Sequence, residues 1–166
     1  GIDGEIELVC GAFSIIPGES KATGEALYLN PKRVYETYEE MFEAEKNMPP
    51  DQRIDFVSVV TPNHVHYGPS KMALECGFHV IVEKPISFNL DEAKSLQKLV
   101  SKTGLILGLT HTYTGYPLVK EARAMVAAGK FGKIRKVYVE YPQGWLSTLL
   151  EGTGNLQASW RTDPKQ

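Results

Sequence analysis

Short apolar runs alternate with amphipathic stretches along the first two thirds of the chain. Ile6 to Phe13 is apolar except for Glu7 and Gly11, the pattern of a strand buried on both faces. Pro17 to Leu27 reads as a short helix and Arg33-Val34-Tyr35 as a very short strand. Glu36 to Asn47 sets Tyr38, Met41, Phe42 and Glu45 at helical spacing, and Pro49-Pro50 ends that helix. Phe56 to Thr61 predicts a strand stopped by Pro62. His64 to Cys76 predicts a helix, with Gly77 where a left-handed residue is wanted.

The alternation continues with an apolar strand from His79 to Glu83. Asn89 then caps a helix, with Glu92 as its capping-box partner and Leu96, Leu99 and Val100 on one face. Leu105 to Leu109 is again a strand. Continuous apolar strands separated by amphipathic helices predict an α/β fold with a parallel sheet covered on both sides.

Beyond His111 the texture changes. Leu118 to Ala128 reads as a helix ended by Gly129. From Ile134 to Tyr141, Val137, Val139 and Tyr141 alternate with Arg135, Lys136, Tyr138 and Glu140, which suits a strand with one solvated or partner-facing side. A domain boundary is therefore expected near Thr110, dividing the chain into 1–110 and 111–166.

Composition narrows the function classes. The chain has 166 residues, a net charge of −2 and 42% hydrophobic residues, as in an ordinary globular protein. That charge recommends neither nucleic acid nor an anionic membrane as partner. No apolar run approaches the roughly 20 residues of a membrane-spanning helix. There is no signal-peptide pattern, although the chain begins at Gly1 without a methionine, which allows for processing or truncation. Cys10 and Cys76 read as small buried hydrophobes in a reducing cytoplasm.

In an open parallel sheet, ligands bind beyond the carboxyl ends of the strands. Ser14, Thr61-Pro62-Asn63-His64, Glu83-Lys84-Pro85 and Thr110-His111-Thr112-Tyr113 fall there. Strand ends need polar caps in any case, so Thr61 and Asn63 alone decide little. Lys84 stands out: it follows a buried strand, where burial could lower its pKa and Glu83 would oppose the shift. The Lys84–Pro85 peptide is expected to be cis, since proline reduces the trans preference to about 0.5–1 kcal/mol.

Thr61-Pro62-Asn63-His64 followed by Glu83-Lys84-Pro85 resembles the Gfo/Idh/MocA family of NAD(P)-dependent oxidoreductases, whose Glu-Lys-Pro signature the second segment matches. His111 to Pro117, Glu140 to Gln143 and Trp160 to Pro164 extend the likeness in the right order, from Glu5 to the last residue. The resemblance implies a Rossmann-type domain holding NAD or NADP, followed by the start of an α/β domain for substrate binding and oligomerisation. It implies hydride transfer between the nicotinamide and a hydroxyl or carbonyl carbon of a sugar, polyol or related small molecule, in a protein that is a homo-oligomer at full length. By the same resemblance, Lys84 is the catalytic group and Glu83 helps set its position. Pro62 and Asn63, flanked by Thr61 and His64, line the cofactor. His111, Tyr113, Trp160 and Arg161 line the substrate cleft.

Two features depart from the family pattern. The strand and Gly-x-Gly-x-x-Gly turn whose amides hold the pyrophosphate are not found, and the Asp-x-Gly-x-His pair that follows the Trp-Arg segment is not reached by Gln166. The chain is therefore expected to be a fragment, inactive by itself. In a sheet of order 3-2-1-4-5-6, the missing strand lies between Ile6–Phe13 and Phe56–Thr61. Those two are then expected to pair directly, or the slot to be filled by other residues. Ser14 occupies the place where Asp or Glu accompanies an unphosphorylated ribose, and with Lys21 nearby this leans toward NADP or mixed use. Two rival functions remain: a binding or regulatory member of the same fold without catalysis, and a metal-dependent hydrolase using His64 and His66. Residues two apart project about 200° apart on a helix, which opposes the second.

Overall fold

The computed structural model describes residues 4–14, 16–142, 144, 147–155 and 158. The chain divides into two compact units, Gly1–Thr110 and His111–Gln166. The first contains α1 (Glu19–Ala26), α2 (Tyr38–Lys46), β1 (Phe56–Val59), α3 (Tyr67–Glu75), β2 (His79–Glu83), α4 (Leu90–Thr103) and β3 (Leu107–Thr110). The strands form a parallel sheet of order β1-β2-β3, with Val59 opposite Val82 and Glu83 opposite Thr110. The expected α/β class with a parallel sheet is therefore present.

Each helix begins and ends for a local reason. Asn89 accepts the Glu92 N–H through Oδ1 at 2.9 Å, and Glu92 Oε2 accepts the Phe88 N–H at 3.0 Å. One amide orphaned at the start of α4 is thereby satisfied, together with the amide just before the cap. Thr37 caps α2 in the same way, accepting from the Glu40 N–H at 3.2 Å. Gly104, at φ +70°, closes α4 in the left-handed conformation a side chain would resist.

α3 packs against β1, β2 and α4, and α2 packs against α3. Phe42, Leu74, Phe78, Val80, Val82 and Leu96 are completely buried between these elements. Each such side chain contributes about 1.5–3 kcal/mol relative to exposure. A polar knot pins the edge of this core. Glu45, completely buried, takes Arg33 in a two-pronged ion pair, Nε to Oε1 at 3.0 Å and Nη2 to Oε2 at 2.6 Å. Its carboxylate also accepts the Tyr35 hydroxyl and the Ile54 N–H, each at 3.2 Å.

Three expectations need correction. Ile6 to Phe13 is not a strand of the sheet, nor does it pair with β1. It runs extended, with Ile6 and Leu8 more than half exposed, and makes a single parallel bridge, Gly11 to Val34. Cys10 reaches the core, and Val9 packs against it. A ladder needs a neighbour's N–H and C=O at every step, and among the described residues only the 33–35 segment offers them, as Gly11 N–H to Arg33 O at 3.2 Å and Tyr35 N–H to Gly11 O at 2.9 Å.

Among the described residues of the first unit, the sheet is covered on one face rather than two. Val80 and Val82 are buried, whereas Ser58 is exposed and Ile81 is 41% exposed. The strand order steps always in one direction, and right-handed crossovers that do so place α3 and α4 on the same side.

In the second unit, α5 (Pro117–Ala127) forms as expected, with Pro117 in its first turn. Ile134 to Tyr141 does not form a strand, and Val137 and Val139 are 73% and 79% exposed. Alternation marks which side chains would share a face, but it supplies no partner backbone. Among the described residues none is in place.

Candidate functional site

The site is assembled by the register of β1 against β2. Two residues past the paired Val59 and Val82 come Thr61 and Lys84, so the Thr61–Asn63 and Glu83–Pro85 turns leave the sheet side by side. Pro62 stops β1, and a 3₁₀ turn over Asn63–Val65 leads into α3. Pro85 ends β2, and the Lys84–Pro85 peptide is cis, as expected.

Thr61, Pro62, His64 and Lys84 are exposed and Asn63 is half-buried. The expected burial of Lys84 is absent: its side chain stands beyond the end of the sheet, outside the packed core. Glu83 touches it through the main chain, its Oε2 accepting the Lys84 N–H at 3.3 Å. Among the described residues, the side chains of Thr61, Asn63, His64 and Lys84 engage no other protein group in a hydrogen bond or ion pair. They are available to a ligand.

Two residues here were not singled out for such roles from the sequence. His66 is completely buried, with Nε2 at 2.8 Å from the Thr61 carbonyl and Nδ1 at 2.6 Å from the Pro85 carbonyl. Both ring nitrogens are therefore engaged, and neither is open to a metal ion. The second is Glu19. Ser14 Oγ donates to Glu19 Oε2 at 2.7 Å, and Ser14 also turns its hydroxyl to the Ile16 N–H at 3.1 Å. The buried Ser20 hydroxyl holds the loop in shape by accepting the Phe13 and Ser14 amides at 2.9 and 3.1 Å. A carboxylate thus stands beside Ser14 although the strand-end position itself carries none. The signal was local: an acidic residue in the first turn of a helix five residues on.

His111 and Tyr113 lie in the second unit and are exposed. Tyr113 accepts the Tyr141 hydroxyl at 3.1 Å and meets the Tyr116 and Tyr141 rings edge-on at 5.7 and 6.1 Å. Trp160 and Arg161 lie outside the described residues.

A parallel α/β sheet with its uncommitted polar groups gathered beyond the strand ends is the architecture of a dinucleotide-binding domain. Comparison with known proteins agrees: the chain belongs to the oxidoreductase family with an NAD-binding Rossmann fold, matched over residues 7–111. It resembles an inositol dehydrogenase homolog from Azotobacter vinelandii solved with NAD+, with 41% identity and a TM-score of 0.89 over 98% of this chain and 41% of that one. The structure of such a homolog with NADH and myo-inositol, from the same organism, is 40% identical, with a TM-score of 0.83 over 91% of this chain and 39% of that one. The uncharacterized oxidoreductase YfiI of Bacillus subtilis is 36% identical over 95% of this chain and 40% of its own length. The chain thus spans about two fifths of the length of these relatives. No helix among the described residues is long and apolar enough to cross a membrane.

Proposed function

We propose that the protein to which this chain belongs is an NAD(P)-dependent dehydrogenase acting on a hydroxyl-bearing carbon of a sugar, polyol or related small molecule. The observation that carries the reading is the placement of Lys84. An exposed, unpaired amine stands at the carboxyl end of β2, one strand away from the Thr61–Asn63 turn. The solved neighbours bound to NAD+, and to NADH with myo-inositol, supply the cofactor and substrate class.

The residues present suit a dinucleotide. Thr61, Asn63 and His64 offer a hydroxyl, an amide and an imidazole without other partners among the described residues, and Pro62 offers an apolar surface. When bound, the nicotinamide supplies the hydride acceptor or donor. Lys84 does the proton work: its neutral amine accepts the proton of the reacting hydroxyl during oxidation, and its ammonium returns one during reduction. Glu83, by holding the Lys84 N–H, fixes the main chain from which that side chain reaches. His111 and Tyr113, with Trp160 and Arg161, serve as substrate contacts. The Glu19 carboxylate beside Ser14 favours an unphosphorylated ribose, so NAD is the better fit than the NADP suggested by Ser14 and Lys21. The unpaired apolar side chains of Val137 and Val139 support a homo-oligomer at full length.

In the full-length gene product, Lys84→Ala should lower turnover with a polyol substrate by roughly 10²–10⁴-fold, the range for a positioned acid-base group, with cofactor affinity little changed. A variant retaining near-normal turnover removes Lys84 from the chemistry.

A further inference from the structure

Beside the candidate site lies a polar side chain that is closed off from solvent. His66 is completely buried, yet both of its ring nitrogens meet main-chain carbonyls, Thr61 O at 2.8 Å and Pro85 O at 2.6 Å. Those carbonyls share a predicament. Each lies two residues past the last paired residue of its strand, so neither is served by the ladder. A neutral ring donates to one carbonyl and an imidazolium donates to both. In either state, the ring sits as a single rigid plate between the two turns.

We infer that His66 is a positioning residue for hydride transfer, setting the distance between the Thr61–Asn63 turn and the Lys84–Pro85 turn. This rests on the reading of Lys84 and Asn63 above and extends it to the group that holds them in register. His66 touches neither ligand and acts through the main chain of Pro85, the residue after Lys84. Its own placement is tied down, since it opens α3 directly after the 3₁₀ turn and its carbonyl accepts the Ser70 N–H at 3.3 Å. Helix α3 is in turn packed on β1 and β2. The plate is therefore anchored to the same sheet whose two ends it joins.

The test uses two partial replacements in the full-length gene product. A glutamine amide reaches the place of Nε2 and an asparagine amide the place of Nδ1. His66→Gln thus keeps a donor for Thr61, and His66→Asn keeps one for Pro85. Because Pro85 adjoins Lys84, His66→Gln should lower kcat by about 10- to 100-fold, the scale of a misplacement near 1 Å. KM for the polyol should stay near that of the wild type, and His66→Asn should retain more of kcat than His66→Gln. Both should be introduced again with Lys84→Ala already in place. A residue acting through Lys84 then has no further effect, whereas a general loss of folding multiplies through.

A His66→Gln enzyme within twofold of wild-type kcat overturns the inference. So does an undiminished effect of His66→Gln in the Lys84→Ala background. If Lys84→Ala keeps its turnover, the catalytic reading itself falls, a result distinguishable from a dead Lys84→Ala enzyme alongside an unaffected His66→Gln one.

Discussion

Replacing Glu45 by alanine should be among the most damaging single changes in the first unit. The carboxylate is completely inaccessible and accepts from the Arg33 Nε, the Arg33 Nη2, the Tyr35 hydroxyl and the Ile54 N–H. Removing it leaves the Ile54 amide without its acceptor in a buried position, a cost of about 1–3 kcal/mol. Arg33 loses a two-pronged partner while its side chain is only 17% exposed, and breaking a buried pair on one side costs about 3–5 kcal/mol. These contributions overlap, because Arg33 can swing toward water, so the net expectation is about 3–5 kcal/mol. Urea denaturation followed by circular dichroism, with the slope compared between variants, measures it. Glu45→Gln should lose less, since it keeps the volume and one acceptor but turns an NH₂ toward the guanidinium. Glu75→Ala, which breaks the exposed Lys71–Glu75 pair, should leave the midpoint where it was. A Glu45→Ala loss below about 1 kcal/mol at unchanged slope would refute the assignment of this knot as an anchor of the fold.

Burial pushes the Cys10 thiol from 9.0 up to about 12, with the neighbouring Glu45 carboxylate adding to the shift. A raised folded-state value means that stability is intact below pH 9 and is lost as the pH climbs toward 12. Tyr35, raised from 10.0 to about 12 by burial and then by Glu45, acts in the same direction from pH 10 to 12. The denaturation midpoint should therefore fall between pH 9 and 12 and fall less steeply in Cys10→Ala; equal slopes would contradict this. Asn89→Ala removes the cap of α4 and should cost about 1 kcal/mol in the same denaturation assay. Glu19→Gln should raise the NADP-to-NAD ratio of kcat/KM in the full-length enzyme, because a carboxylate beside Ser14 repels a 2′-phosphate; an unchanged ratio dismisses Glu19 from cofactor choice.

What could be read in advance was whatever is decided within a few residues. His79–Glu83 is a strand with the predicted ends, and Asn89 with Glu92 forms the expected cap, because both depend on local pattern. Glu45 stood at helical spacing among Tyr38, Met41 and Phe42, a carboxylate on an apolar face, and that face is where it is buried. Ile6–Phe13 misled because its apolar content reports a preference for burial and is silent on who pairs with its backbone. The same holds for Ile134–Tyr141. His66 was weighed as a metal ligand with His64 because side-chain patterns advertise side-chain partners. Its actual partners are two main-chain oxygens, 5 and 19 residues away, which no spacing rule encodes. The single-sided sheet was missed for a related reason: amphipathic helices reveal that a face is covered, and the direction of successive crossovers decides which one.

The carboxyl ends of β1, β2 and β3 also bear on how this protein tolerates change. The residues that hold the scaffold, such as Leu74, Val80, Val82 and Leu96, sit within strands and helices, while Thr61, Asn63 and Lys84 sit in turns at one rim. Substitutions in those turns remove no buried methyl group, so the melting behaviour should stay nearly constant. A library that randomises positions 61, 63 and 64 and spares His66 should yield mostly folded members, each on an unaltered frame.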